Sequence, residues 1–248
     1  MTLKIGLKLI KKYSINFDLP ERNYRSIKFV IIHYTGMQTE SKAINRLLDS
    51  NSKVSTHYFI KNNGLIINMV PDDYVSWHAG KSFWKKNRYL NKCSIGIEIN
   101  NPGHKYRYKN FSIKQISSLV KLLKVLVKKY NIKITNILGH SDIAPSRKID
   151  PGEKFPWKYL SKRKIGSWHN LDKKKLLNER NQKTNKLDKK IFFKNLYKIG
   201  YKKDFSKENI KYFKKLICAF QRRFRQDLIN GIIDKECLNL SKNLVKKF

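Results

Sequence analysis

Two short apolar runs, each followed closely by a histidine, constrain the fold of this chain more than any other feature. Residues 28–32 form a compact β-branched run that ends at His33, and residues 134–138 form a second run, with His140 just beyond it. Runs of this length and composition predict buried β-strands. If the two strands are neighbours in one sheet, both imidazoles lie at the same end of it. A strand that leads into a loop is a common place for an active site.

Further patterns add strands and helices around this pair. Residues 94–100 alternate strictly between isoleucine and smaller or polar side chains, which predicts a strand with one apolar face. An Asn-Gly pair accepts the positive φ angles of a tight turn, so it predicts a β-hairpin formed by residues 56–60 and 65–69. Apolar residues at helical spacing predict helices over residues 40–50 and 113–130.

The character of the chain changes after Trp157. Residues 161–188 are polar and rich in lysine, which predicts a linker between two domains. Apolar residues return at helical spacing from about Ile191, which predicts a small all-helical domain. We therefore divide the chain into a first domain over residues 1–160, the linker over 161–188 and a C-terminal domain over 189–248.

The chain of 248 residues carries a formal net charge of +37, which predicts attraction to polyanions such as nucleic acid, anionic lipid or an anionic cell-wall polymer. The lysines are spread along the whole chain, so a compositional bias without a binding role explains the charge equally well. A nucleic-acid-binding protein would place basic and exposed aromatic residues together on one face. The aromatic residues here follow core spacing instead, so we do not expect nucleic acid as a partner.

The three cysteines, Cys93, Cys218 and Cys237, are widely spaced and include no CxxC pair. Their odd number argues against a disulfide framework and against a cysteine zinc site. Reduced thiols favour a cytoplasmic location, and residues 1–12 lack the continuous apolar segment and cleavage site of a signal peptide. No stretch of the sequence is long and apolar enough to span a membrane. The periplasm or cell envelope is the alternative if an export signal was trimmed or export is non-classical.

His33, His140 and Asp150 form a candidate metal site. Two imidazoles and one carboxylate leave a fourth zinc position open for water, as catalytic sites do, although a histidine after a strand is more often an ordinary polar residue. Glu98 lies on the polar face of the alternating strand, where it could transfer protons; alternatively, its charge protects a strand edge from aggregation. Lys148 could stabilise an oxyanion, or it is one more surface lysine.

Six short motifs occur in order along the chain, each at a predicted strand end or loop. They are IIHYTG at 31–36, STHY at 55–58, WHAG at 77–80, SIGIE at 94–98, GHSDIAP at 139–145 and RKIDPG at 147–152. Together they resemble the type-2 N-acetylmuramoyl-L-alanine amidases, which are relatives of the peptidoglycan recognition proteins. The resemblance runs from about Tyr13 to Trp157.

This resemblance implies an α/β fold with a mixed central β-sheet flanked by helices. It implies a zinc ion held by His33, His140 and Asp150. Glu98 would then be the catalytic acid–base and Lys148 the residue that stabilises the transition state. The implied reaction is hydrolysis of the amide between the lactyl group of N-acetylmuramic acid and L-alanine, in peptidoglycan or muropeptides. A non-catalytic recognition protein is the alternative, because several relatives lose a zinc ligand and only bind; here all three ligands are present.

Trp77, His78 and Tyr34 are candidates for the substrate groove. An indole ring suits the apolar face of a sugar, and an imidazole can hydrogen-bond the peptide stem. A purely structural role for Trp77 and His78, in pinning their loop, is equally consistent with the sequence. We expect Asp142 to orient His140 or its loop.

The C-terminal region has a resemblance of its own. Residues 196–201, 219–225 and 231–234 look like the small helical peptidoglycan-binding domain that is often attached to such amidases. Phe220 would belong to the core of any helical bundle, so it does not decide between the two interpretations. Cys237 stands where that family usually has threonine, which is a modest departure.

Overall fold

The computed structural model describes residues 9–203 and 210–248. Residues 1–8, most of the segment considered above for a signal peptide, and residues 204–209 lie outside the described residues. No helix in the described part of the chain is long and apolar enough to cross a membrane.

The strands are β1 Leu9–Lys11, β2 Phe17–Asp18, β3 Phe29–Tyr34, β4 Tyr58–Ile60, β5 Ile66–Asn68, β6 Val75–Ser76, β7 Phe83–Trp84, β8 Asn87–Arg88, β9 Ser94–Ile99 and β10 Ile137–Gly139. The helices are α1 Glu40–Leu48, α2 Ile113–Tyr130, α3 His140–Ile143, α4 Trp157–Lys162, α5 Lys173–Glu179, α6 Lys186–Ile199, α7 Ile210–Phe224 and α8 Lys235–Leu244.

A mixed six-stranded sheet in the order β1-β5-β4-β9-β3-β10 forms the centre of the protein, as the resemblance implies. Strands β4, β9, β3 and β10 run parallel, and the hairpin partner β5 is antiparallel to β4. In the register of β3 and β9, His33 lies opposite Glu98. In the register of β10 and β3, Gly139 lies opposite Ile32, so His140 follows at the same end of the sheet. The predicted neighbouring strands are therefore confirmed.

Helices cover both faces of the sheet, which explains why β3 is a continuous apolar run. Helix α2 begins with the capping box that Ser112 and Gln115 form, and it packs Leu119 and Leu123 against one face. Helices α6, α7 and α8, which we call the C-terminal helices, cover the opposite face. Their buried residues form one apolar cluster with Ile31 and neighbouring residues of the sheet. The C-terminal helices therefore share a core with the sheet that carries the candidate site.

Two local predictions need correction or refinement. Residues 134–136 form a 3₁₀ turn, and the predicted strand 134–138 is instead the shorter β10, because the chain turns before it enters the sheet. The hairpin turn spans residues 61–65, and within it only Gly64 has a positive φ angle, 85°. A Cβ atom at Gly64 would lie 2.7 Å from the carbonyl oxygen of Lys114, so close packing on α2 also requires glycine there.

The lysine-rich residues 161–188 contain helix α5 and several buried side chains. Ile165 packs with the α2 side of the sheet, and Leu176 belongs to the cluster that includes the C-terminal helices. Polar composition in this range therefore does not mean that the segment is free of tertiary contacts. The division into two domains with a linker stays a prediction.

Candidate metal centre

His33, His140 and Asp150 converge at the carboxyl ends of β3 and β10. The Nδ1 atoms of the two histidines lie 2.9 Å apart, and Asp150 Oδ2 lies 3.0 Å from His33 Nδ1 and 3.1 Å from His140 Nδ1. All three side chains are at least 90% buried. Two imidazole nitrogens and one carboxylate oxygen in so small a triangle can hold a single metal ion, and they are the only such group of histidine, cysteine and acidic residues in the described ranges.

The second ring nitrogen of His33 is engaged inside the protein. His33 Nε2 lies 3.1 Å from His78 Nδ1, and His78 Nε2 lies 3.1 Å from the hydroxyl of Ser94. The Ser94 hydroxyl in turn donates to the carbonyl oxygen of Leu90. If His33 Nδ1 faces a metal, its Nε2–H donates to His78, whose own Nε2–H donates to Ser94. This row fixes both the tautomer and the orientation of His33.

His140 is held from other directions. Its Nε2–H donates to the carbonyl oxygen of Ala79 over 3.1 Å. Arg147 donates to the same carbonyl and to that of Lys81, which ties the WHAG loop to the loop that carries His140. The backbone N–H of Ser141 donates to the carbonyl oxygen of Asp150 over 2.8 Å, so the last two ligands are linked through their backbones.

The electrostatics of His33 and Asp150 favour metal binding. Burial, together with the neighbouring His140, lowers the pKa of His33 to about 4, so the imidazole is neutral at physiological pH. Burial alone would raise the pKa of Asp150, but His140 and His33 outweigh it and hold that pKa below its usual range. A neutral imidazole and an ionised carboxylate are the protonation states that bind a metal ion.

Glu98 lies beside this triangle, in register with His33. Its Oε2 atom is buried and has no hydrogen-bond partner among the described residues. Burial and the negative charge of Asp150 raise the pKa of Glu98 to about 8, against the opposing effect of Lys148. An unpaired buried carboxylate is costly to fold, and groups of this kind are typical of functional sites.

The candidate residues line one open cavity of about 350 Å³. It is lined by His33, Tyr34, Thr35, Gly36, Met37, Ala43, Arg46, Leu47, Val54, Ser55, Trp77, His78, Glu98, His140, Arg147, Lys148, Ile149 and Asp150. All eight residues that the sequence analysis selected are in this set.

Several of these residues have polar partners that the sequence did not predict. The indole N–H of Trp77 donates to Asp18, which holds the ring at the cavity wall. The hydroxyl of Tyr34 lies 2.9 Å from His104 Nδ1, and His104 Nε2 lies 3.0 Å from Glu153. His104 belongs to none of the six motifs, so no sequence signal pointed to it.

Gly96 explains how His78 reaches its position. A Cβ atom at this glycine would lie 2.4 Å from the imidazole of His78. Gly96 lies on the polar face of the alternating strand β9, and the His78 ring occupies the space that its missing side chain leaves. Both ring nitrogens of His78 are used within the protein.

The loop after β10 also has long-range partners. Asp142 accepts hydrogen bonds from the backbone N–H of Gly139, from the hydroxyl of Tyr201 and from the guanidinium group of Arg223. Sequence motifs near the site did not include the last two residues, because they lie 59 and 81 positions further along the chain.

Comparisons with known sequences agree with this geometry. The profile of the family described as N-acetylmuramoyl-L-alanine amidase matches residues 23–153. The N-acetylmuramoyl-L-alanine amidase AmiD of Escherichia coli K12 is 34% identical over 240 residues, which cover 91% of this chain and 84% of that protein. The 1,6-anhydro-N-acetylmuramyl-L-alanine amidase AmpD of Haemophilus influenzae is 41% identical over 112 residues, or 44% of this chain and 58% of that protein.

Solved structures extend the similarity to the C-terminal helices. Escherichia coli AmiD, in complex with the substrate anhydro-N-acetylmuramic acid-L-Ala-D-γ-Glu-L-Lys, has a TM-score of 0.80 at 32% identity and covers 93% of both chains. AmpDh3 of Pseudomonas aeruginosa, in complex with an anhydromuramic pentapeptide, has a TM-score of 0.78 at 28% identity and covers 93% of this chain and 94% of that one.

Proposed function

The chain belongs to the N-acetylmuramoyl-L-alanine amidase family, and from that premise we propose that it hydrolyses the amide bond between the lactyl group of N-acetylmuramic acid and L-alanine. The observation that carries this proposal is the combination in one cavity of the ligand triangle His33, His140 and Asp150 with the unpaired carboxylate of Glu98. The triangle offers a place for a metal ion, and the carboxylate offers a proton acceptor beside it.

Zinc is the metal that fits this set of donors. Two imidazole nitrogens and one carboxylate oxygen are typical of catalytic zinc sites, which keep a fourth position for water or substrate. His33, His140 and Asp150 would hold the ion through Nδ1, Nδ1 and Oδ2. When bound, zinc would supply Lewis-acid polarisation of the amide carbonyl and would lower the pKa of the attacking water.

Glu98 is proposed as the residue that moves protons. Its carboxylate would accept a proton from the attacking water and deliver it to the nitrogen of L-alanine as the amide bond breaks. The pKa of about 8 that burial gives Glu98 lies near the working pH, so the ionised form can accept this proton and the protonated form can then donate it. A carboxyl group with an ordinary pKa is a poor acid near neutral pH. Lys148, which lines the same cavity, would stabilise the negative charge that develops on the carbonyl oxygen.

Glu98→Gln tests this assignment, because it removes the proton acceptor and keeps the volume of the side chain. We expect the variant to retain zinc, by metal analysis, and to lose about 10²- to 10⁴-fold in turnover of an anhydro-N-acetylmuramyl peptide. Glu40→Gln is the control, since Glu40 pairs with Lys61 on the surface. Full activity in Glu98→Gln, or a wild-type protein that neither binds zinc nor cleaves the amide, would contradict the proposal.

The walls of the cavity give the other proposed substrate contacts. Trp77, with its N–H engaged by Asp18, presents its ring to the cavity and is proposed to pack against the sugar. Tyr34, backed by His104, is proposed to contact the peptide stem. For His78 we propose an indirect role in substrate turnover, because both of its ring nitrogens are already bonded and one of them orients His33.

The substrate class is proposed from two relatives that were solved with anhydromuramyl peptides. We propose soluble muropeptides as substrates alongside peptidoglycan itself. The test is to offer intact sacculi and soluble muropeptides to the enzyme side by side and to analyse the released stem peptides by mass spectrometry. Release from sacculi alone would contradict the soluble part of this proposal.

The C-terminal helices are proposed to add contacts to the wall polymer. An apolar groove of about 660 Å³ opens between α6 and α7 and is lined by Phe193, Phe213 and Ile232 among others. Groove residues of this kind can pack against sugar rings.

We propose a cytoplasmic location, which the three unpaired cysteines support. Soluble muropeptides would be the substrate there, and contacts with the wall polymer would apply if the protein is in the periplasm or cell envelope instead. Cell fractionation with an antibody to the chain distinguishes the two locations.

A further inference from the structure

Helix α7 contacts the loop that carries two of the three metal-binding side chains. We call residues 139–150 the ligand loop. Arg223, on α7, donates to Asp142 Oδ2 over 2.5 Å, and its second terminal nitrogen donates to the carbonyl oxygen of Ile137 over 3.0 Å. The guanidinium group also stacks on the ring of Trp157 at 3.9 Å. Arg223 therefore contacts the chain on both sides of the point where β10 becomes α3.

The ion pair of Arg223 and Asp142 is buried from solvent. Arg223 is 2% exposed and Asp142 is 1% exposed. Tyr201, which follows α6, donates its hydroxyl to Asp142 Oδ1 over 2.8 Å. A buried charge that loses its partner is strongly unfavourable, so the loop adopts a conformation in which all these contacts are made.

These contacts reach the metal-binding atoms through the backbone. Asp142 accepts from the N–H of Gly139 over 2.8 Å, so it fixes the residue directly before His140. Ser141, directly after His140, is bonded to the carbonyl oxygen of Asp150. A displacement of Asp142 would therefore move His140 and Asp150 together, relative to His33 on β3.

We propose that Arg223 and Tyr201 are positioning residues for the metal centre. By holding Asp142 they set the positions of His140 and Asp150 relative to His33. The C-terminal helices would therefore support the zinc site, in addition to any contact with the wall. This proposal rests on the zinc role of the three ligands stated above. Among the described residues, no hydrogen bond or ion pair joins Arg223 or Tyr201 directly to the three ligands.

The test compares Arg223→Met with Arg225→Met in the full chain. Arg225 forms the same kind of buried ion pair, with Asp234 and Glu236, but within the C-terminal helices and the turn between them. Both variants lose a buried pair, so both are destabilised. Only Arg223→Met releases the ligand loop.

The readout is the dissociation constant for zinc, measured by competition with a chromogenic chelator. Removing an outer partner of a metal site typically weakens metal binding about 10- to 100-fold. We expect a loss in this range for Arg223→Met and less than about threefold for Arg225→Met. The visible spectrum of the cobalt-substituted protein should change only in Arg223→Met, because that spectrum reports the arrangement of the ligands.

Two further variants keep the test decisive if Arg223→Met does not fold. Tyr201→Phe removes one hydrogen bond to Asp142 and should weaken zinc binding in the same direction by a smaller factor. Arg223→Lys restores the charge without the second bond to Ile137 and should recover part of the affinity. Equal zinc affinity in wild type and in these variants, or equal losses in the Arg223 and Arg225 variants, would overturn the proposal. A wild-type protein without zinc would instead overturn the proposed function.

Discussion

His33 and His140 offer the same ring nitrogen to the same site, yet they are supported in different ways. His33 belongs to β3, an interior strand between β9 and β10, and a row of neutral side chains formed by His78 and Ser94 lies behind it. His140 begins a short helix at the edge strand of the sheet, and the ion pair of Asp142 and Arg223 braces its loop from the C-terminal helices. Strand register therefore fixes one ligand, and a contact between distant parts of the chain fixes the other.

Substitutions in different parts of the protein should therefore disturb different ligands of the metal site. Substitutions that destabilise the C-terminal helices should displace His140. Crowding within the sheet, or acid, should instead disturb His33, because His33 is supported by neutral imidazoles. His140 is supported by an ion pair whose charges do not depend on an imidazole. Three experiments separate the two effects.

The largest effect should come from a cavity in the C-terminal helices. Phe220 on α7 is fully buried in the cluster that also contains Ile31 of β3. Phe220→Ala should cost about 3–5 kcal/mol in free energy of unfolding. Because the core is shared, we expect one calorimetric transition, shifted to lower temperature, in which the metal-binding region unfolds together with the helices.

A matched substitution on the other side of the sheet controls for the general cost of a cavity. Leu122→Ala removes a buried side chain of α2 and should also shift a single transition. Two separate transitions in Phe220→Ala, with the metal-binding region unchanged, would show that the C-terminal helices are an independent unit.

The next largest effect should come from crowding His78. Gly96→Ala places a Cβ atom where the imidazole of His78 lies, and overpacking of this kind costs about 1–3 kcal/mol. The ring must shift, which disturbs its 3.1 Å hydrogen bond with His33, so we expect weaker zinc binding as well. Denaturant unfolding measures the change in the free energy of unfolding, and chelator competition measures the change in zinc affinity.

The double variant Gly96→Ala/His78→Ala serves as the control for this crowding. Removing the ring makes room for the new methyl group, so the two substitutions should cost less together than the sum of their separate costs. Strict additivity would show that Gly96 and His78 do not interact in the way that the structure indicates.

The smallest effect, per pH unit, comes from acid acting on His57. His57 lies beside His78, with ring centroids 5.6 Å apart, and burial, with the positive charge of Arg22, lowers the pKa of His57 to about 3. Below about pH 6.5 the unfolded chain binds a proton at this histidine and the folded chain does not. The folded protein therefore loses stability as the pH falls from about 6.5 towards 3, by up to about 1.4 kcal/mol per pH unit from this residue.

His57→Gln should make the dependence of the unfolding free energy on pH less steep in this window, for the metal-free protein. Ser76→Ala, which removes another buried polar group, should change the level of stability and leave the slope as in the wild type. An identical slope in His57→Gln and the wild type would contradict the assigned pKa of His57.

Much of the fold and of the site could be read from the sequence, because the signals are local. The β-branched run before His33 and the alternation around Glu98 predicted two strands that are neighbours, and the apolar spacing over residues 113–130 predicted helix α2. The local pattern was misleading at residues 134–136, which were predicted to belong to a strand. They form a 3₁₀ turn before β10, because the chain turns before it enters the sheet.

The sequence by itself determined which side chains could hold a metal and transfer protons, because residue type and strand periodicity set chemistry and direction. Only the tertiary structure decided how they are held. The His78 ring over Gly96, His104 beside Tyr34, and Arg223 with Tyr201 at Asp142 join residues that lie far apart in the chain. Such contacts follow from the packing of one buried surface on another, and packing depends on all the elements at once, so no local pattern records it.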